Sequence, residues 1–215
     1  MLNEVMEFKG RYPQVLLSIF LLFWLALAIS PKYLGVWAIE NFLSAIVITF
    51  LVVTYKKFKF SNLSYTLIFI FMILHTIGGH YSYSEMPLFD WLAQVFDLSR
   101  NHYDRVVHFL FGALLFIPAY EFISKRLKVK YFWGYFSAFL FIIASKSIFE
   151  VIEFLWVLVT RSDIIGTHYL GMQGDQWDAQ KDILLGSLGA GVTWFILWVK
   201  QKRNSSTKRK NEVIH

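Results

Sequence analysis

Long apolar stretches separated by short polar ones account for most of this chain. Runs at about 13–30, 34–54, 62–80, 104–123, 131–158 and 178–199 approach or exceed the length a helix needs to cross a bilayer, which is about 20 residues. The first two runs are divided only by Ser30-Pro31-Lys32-Tyr33, predicting a tight helical hairpin. The longest connections, about 81–103 and 159–177, are too short for a soluble domain. The pattern predicts an all-α, polytopic transmembrane helix bundle of about six spans, with residues 1–199 as one domain. Residues 200–215, rich in Lys, Arg, Ser and Asn, read as a basic, disordered tail. Ala26-Leu27-Ala28 resembles a signal-peptidase site, but its apolar run is long and leads straight into a second span, which favours an uncleaved helix.

Composition agrees with this class. Hydrophobic residues make up 56% and charged residues 17%, displaced in opposite directions from soluble domains. Phe occurs 22 times and Trp 8 times, as lipid-facing surfaces with aromatic belts require. The net charge of +6 sits in clusters between apolar runs, which makes it a topology signal and gives no case for nucleic acid. With both termini in the cytoplasm, 15 of the 21 Lys and Arg fall on the inside and four on the outside. That bias orients the bundle with both ends inside. Cys is absent, so disulfides and thiolate metal sites are excluded.

Charges within spans are costly, so each needs a reason. The third span ends in His75-Thr76-Ile77-Gly78-Gly79-His80, and the fourth begins His102-Tyr103-Asp104-Arg105-Val106-Val107-His108. The fifth carries Lys146, Glu150 and Glu153 late in its run, and the sixth enters through Asp175, Asp178, Lys181 and Asp182. Glu40 lies in the outer half of the second. Four spans therefore bring His and carboxylates to one depth, on the side away from the cytoplasm. Helical spacing aligns Asp104 with His108, Lys146 with Glu150, and Asp178 with Asp182. Gly186, Gly189 and Gly191 permit close helix approach beneath them.

His and carboxylates from several helices suit a divalent metal. The candidate ligands are His75, His80, Asp104, His108 and Asp182, with a Gly-Gly break expected to turn His75 and His80 inward. Glu150, Glu153 and Asp178 are candidates for acid/base catalysis, since neighbouring carboxylates favour sharing a proton. Plainer readings stand beside these. Asp104–Arg105 and Asp178–Lys181 fit a headgroup-solvated rim, and Lys146–Glu150 fits a structural pair. His80 and His102 fit the membrane interface, and His168 fits the surface. Tyr81, Tyr83, Trp91 and Trp177 fit an aromatic belt. Residues 86–97 predict a short amphipathic helix on the outer surface. Glu121, near the inner rim, is the exception to the one-sided distribution.

Three segments in order carry a resemblance: His75-Thr76-Ile77-Gly78-Gly79-His80-Tyr81-Ser82-Tyr83, Asn101 to Phe109, and Gln173 to Asp182. They resemble the signature segments of YjdF-type bacterial inner-membrane proteins, over most of the chain except the tail. The resemblance implies a multi-pass protein of the bacterial cytoplasmic membrane and assigns no activity. A weaker likeness is to VanZ-like membrane proteins. Asp104-Arg105-Val106-Val107-His108-Phe109, Glu150 or Glu153, and Asp182 with Gly189 fill that group's places, while Gly186 stands where the group often has Asn. That likeness would point to the cell envelope. Three functions follow in order of preference: an outer-leaflet enzyme acting on a lipid or lipid-linked substrate, a non-catalytic lipid- or partner-binding protein with a structural polar network, and a proton-coupled transporter using Glu40, Lys146 and Glu150. Membrane lipids are the expected partners.

Overall fold

A computed structural model describes residues 11–129, 131–160 and 173–213. All regular elements among them are helical: α1 (Tyr12–Leu27), α2 (Leu34–Thr54), α3 (Asn62–Tyr81), a 3-10 turn (Tyr83–Glu85), α4 (Pro87–Val95), α5 (Tyr103–Leu127), α6 (Tyr131–Thr160) and α7 (Asp178–Val213). Four have the length and apolar character to cross a membrane: α2, α3, α5 and the Asp178–Asn204 part of α7. α1 is apolar but shorter, at 16 residues. α6 runs for 30 residues and contains Lys146, Glu150 and Glu153. Arg161 and His168 lie outside the described residues.

Local chemistry sets the helix ends. Pro13 occupies the first turn of α1 and Pro87 that of α4, where a missing N–H costs nothing. Ser61 caps α3 by accepting from the Ser64 N–H at 3.2 Å. The cap is held from α5 by Glu121, which accepts from Ser61 N at 2.7 Å and Ser61 Oγ at 2.8 Å, and pairs with Lys125 at 2.6 Å. Glu121, the acidic residue at the end of the bundle away from the other carboxylates, thus secures a helix start. Asn101 opens α5 by accepting from Tyr103 N at 3.0 Å, and Asp175 opens α7 by accepting from Trp177 N at 3.1 Å.

Past Lys200, in the segment whose composition suggests disorder, α7 continues as helix to Val213. No residue after Gly191 is Gly or Pro, so neither of the usual helix terminators interrupts it.

α5 is the centre of the bundle and packs against α7, α3 and α6, while α1 and α2 pack on α3. Phe116, Ala119 and Ile123 of α5, Tyr135, Ala138 and Ile142 of α6, and Ala190 of α7 form the main core. Phe20, Ile68 and Met72 form a second core between α1 and α3. The α5–α7 contact is close because glycines lie on it. A Cβ at Gly112 would overlap the Gly186 carbonyl, and one at Gly189 would overlap the Phe109 carbonyl. Apolar residues such as Leu22, Val53 and Leu188 face outward, as a lipid-facing surface does.

Candidate functional site at the head of α5 and α7

The start of α5 and the start of α7 meet because the loops before them are clasped. Asn101 N donates to Gln173 Oε1 at 2.9 Å, and Gln173 Nε2 donates back to the Asn101 carbonyl at 3.0 Å. Asn101 Nδ2 also donates to Asp90 Oδ1 at 2.7 Å and the Met86 carbonyl at 3.0 Å, tying α4 to the same point.

Asp104 and His108, one turn apart on α5, and Asp182 on α7 converge there. One ligand atom from each lies within 4.8 Å of the others. His108 Nε2 is 2.7 Å from Asp104 Oδ1 and 3.8 Å from Asp182 Oδ2. The second oxygen of each carboxylate faces an arginine. Asp104 Oδ2 is 4.0 Å from Arg100, and Asp182 Oδ1 accepts from Arg105. Each carboxylate thus points one oxygen inward and anchors the other, the arrangement that orients ligands around a cation.

Arg105 is the hub of the surrounding network. Its guanidinium bonds Asp178 Oδ1 and Asp182 Oδ1, the Asp178 carbonyl at 3.0 Å and Asp175 Oδ2 at 3.1 Å. Arg100 reaches Asp178 Oδ1 at 3.0 Å. Asp175 also receives Lys181 at 2.6 Å, and that hydrogen bond chiefly holds its carboxyl below the usual aspartate range. At the N-cap of α5, burial and then the two guanidiniums hold the His102 imidazole below the usual histidine range. The plainer alternative for Asp104–Arg105 and Asp178–Lys181, a headgroup-solvated rim, does not hold for the two aspartates. Asp104 and Asp178 are instead buried, at 5% and 4% exposure, because these cations neutralise them.

α6 closes the far side. Lys146 is fully enclosed, pairs with Glu150 and lies 3.4 Å from His108 Nε2. A neutral Nε2 offers either a proton or a lone pair. It can therefore serve Asp104 or Lys146, but not both. Glu153 is buried as well.

The other candidates go elsewhere. α3 is continuous through Gly78 and Gly79, so the expected break is not formed; the two glycines make space instead. A Cβ on Gly78 would meet the Tyr83 ring at 2.5–2.8 Å, and one on Gly79 would meet Glu40 Cβ at 3.2 Å. His75 Nε2 faces the Glu40 carbonyl at 3.2 Å, and Nδ1 faces Tyr83 Oη at 2.6 Å. A carbonyl only accepts, so in the neutral ring Nε2 carries the proton and Tyr83 donates to Nδ1. Burial pushes the Tyr83 phenol up, which keeps it a donor. His75 is thus a neighbour of the three converging residues, through the Tyr83 ring stacked 6.4 Å from His108. His80 turns away and donates from Nδ1 to the Leu27 carbonyl at 2.8 Å.

Tyr83 is therefore not part of an aromatic belt. The positive φ of Ser82, 67°, folds the chain back and puts its ring inside. Trp91 and Trp177 do face outward. Within the expected segment 86–97, Pro87–Val95 form the helix as α4, with Leu88, Trp91 and Val95 exposed along one face.

A family model described as Predicted membrane protein (DUF2238) matches residues 12–203. The chain is 32% identical over 164 residues to Inner membrane protein YjdF of Escherichia coli (strain K12), covering 75% of this chain and 77% of that protein. No solved structure matches.

Proposed function

The chain belongs to the DUF2238 family of predicted membrane proteins, and on that premise we propose an inner-membrane protein with a divalent-cation site at its non-cytoplasmic end. In this reading α1, α2, α3, α5, α6 and α7 make six spans, both termini are cytoplasmic, and the heads of α5 and α7 open toward the outer leaflet. Asp104, His108 and Asp182 hold the cation. Glu150 and Glu153 supply acid/base chemistry to a lipid or lipid-linked substrate. Asp178 positions Arg105 and Arg100.

One observation carries the reading: two carboxylates each aim one oxygen at the same imidazole while an arginine faces the other. Charge count supports it. Glu40, Asp104, Glu150, Glu153, Asp178 and Asp182 are six largely buried carboxylates facing three largely buried cations, Arg100, Arg105 and Lys146. Bound cations or protons would cancel the excess. The mixed nitrogen and oxygen donor set suits Zn, Mn or Fe.

Chelation tests it. EDTA should lower the thermal midpoint of the purified protein by roughly 5–10 °C, the response to losing a ligand bound well above its Kd. Zn2+ or Mn2+ should restore it. The Asp182→Asn variant should not respond. A wild-type midpoint indifferent to EDTA would count against the cation.

A second reading, a purely structural polar network, is favoured by one fact: Arg105 already engages both Asp178 and Asp182. It predicts the same indifference to EDTA.

Sidedness is testable because the chain contains no cysteine. In intact spheroplasts a Trp177→Cys variant should react with an impermeant maleimide, and a Lys57→Cys variant should react only after lysis. The reverse pattern would invert the bundle.

A further inference from the structure

At the opposite end of the bundle a cavity of about 1030 Å³ opens between the end of α5, the start of α6 and the polar part of α7. Tyr120 and Tyr135 stack 4.5 Å apart in its wall, and Tyr135 Oη donates to Gln201 Oε1 at 3.3 Å. Ser124 Oγ, also in the wall, is buried without a hydrogen-bond partner. Lys128 and Lys200 line the cavity, as does Lys125, whose ammonium is engaged by Glu121. No carboxylate is among its described lining residues.

We propose that this cavity binds the phosphate headgroup of an anionic phospholipid, through Lys128, Lys200 and the Ser124 hydroxyl. Two lysines with no acidic partner among the described residues supply the charge. The unpaired hydroxyl supplies a donor that a phosphate oxygen would satisfy. Tyr131, first residue of α6, lines the cavity too, so the positive end of that helix borders it. The location selects a lipid over a soluble anion. Tyr131, Phe132 and Trp133 are all more than half exposed beside it, the signature of an interfacial belt. Leu197 continues the wall into the apolar part of α7. Basic pockets between spans at the cytoplasmic face are where anionic headgroups settle. The site is separate from the cation site, so either assignment can fail without the other.

The test uses full-length protein in a neutral detergent, titrated with phosphatidylglycerol and with phosphatidylcholine of the same chain length, with bound lipid counted by native mass spectrometry. A lysine at an anionic surface is worth about fivefold in affinity. The Lys128→Gln/Lys200→Gln double variant should therefore lose phosphatidylglycerol binding by about tenfold or more. The Lys56→Gln/Lys57→Gln double variant removes the same charge outside the cavity and should stay within about twofold of wild type. Equal losses in the two variants would reduce the effect to diffuse charge and overturn the site. So would equal binding of the two lipids by wild type. Displacement of the lipid by millimolar inorganic phosphate would make it a free-phosphate site and overturn the lipid assignment.

Discussion

Gly112→Ala should prevent α5 and α7 from reaching their native separation and cost about 3 kcal/mol, the upper end of overpacking penalties. The added methyl would overlap the Gly186 carbonyl and lie 2.8 Å from Ala190 N. Both are backbone atoms of a packed helix, so neither can swing aside. Gly189→Ala should be comparable, since its methyl would overlap the Phe109 carbonyl. The same stripe provides its own controls. A Cβ at Gly186 meets its nearest atom at 3.5 Å, and one at Gly191 at 4.0 Å, both ordinary contacts. Alanine at those two positions should be tolerated. Size-exclusion behaviour and thermal midpoints of the four variants check the order. Equal stability of Gly112→Ala and Gly191→Ala would contradict the close approach that brings Asp182 to His108.

Arg105→Ala should be similarly severe, at about 3–5 kcal/mol, the cost of leaving buried partners uncompensated. Arg105 is 11% exposed at the side chain and satisfies Asp178, Asp182 and Asp175 together. Lysine should recover only part of the loss, because a point charge cannot span three carboxylates as a planar fork does. Asp178→Asn in the Arg105→Ala background should restore some stability by removing one stranded charge. Additive losses, measured by thermal or denaturant unfolding, would mean that Arg105 and Asp178 do not act as a unit.

Much of this is legible along the chain. Apolar run length located the helices, and i, i+4 spacing found both Asp104–His108 and Lys146–Glu150. Local spacing could not reveal that Arg105 bridges to residues 70 and 73 positions away. Its charge next to an aspartate looks the same at a solvated rim. Tyr83 was misplaced because aromatic residues near a span end usually face the interface. Only the Ser82 turn and the space at Gly78 bring it inside. The Gly78-Gly79 pair misled in the opposite sense: in a packed span glycine more often admits a neighbour than breaks the helix. The depth of Glu40 is legible in the sequence, yet its backbone contact with His75 depends on how α2 lies against α3.

Everything proposed for the head of α5 and α7 depends on Asp104, His108 and Asp182 holding one cation together. The most direct measurement is the metal content of purified wild-type, His108→Ala and Asp182→Ala proteins by elemental analysis, after checking that each variant remains folded. Close to one divalent ion per chain is expected in the wild type, with most of it lost in both variants. Equal, near-zero metal in all three would contradict it.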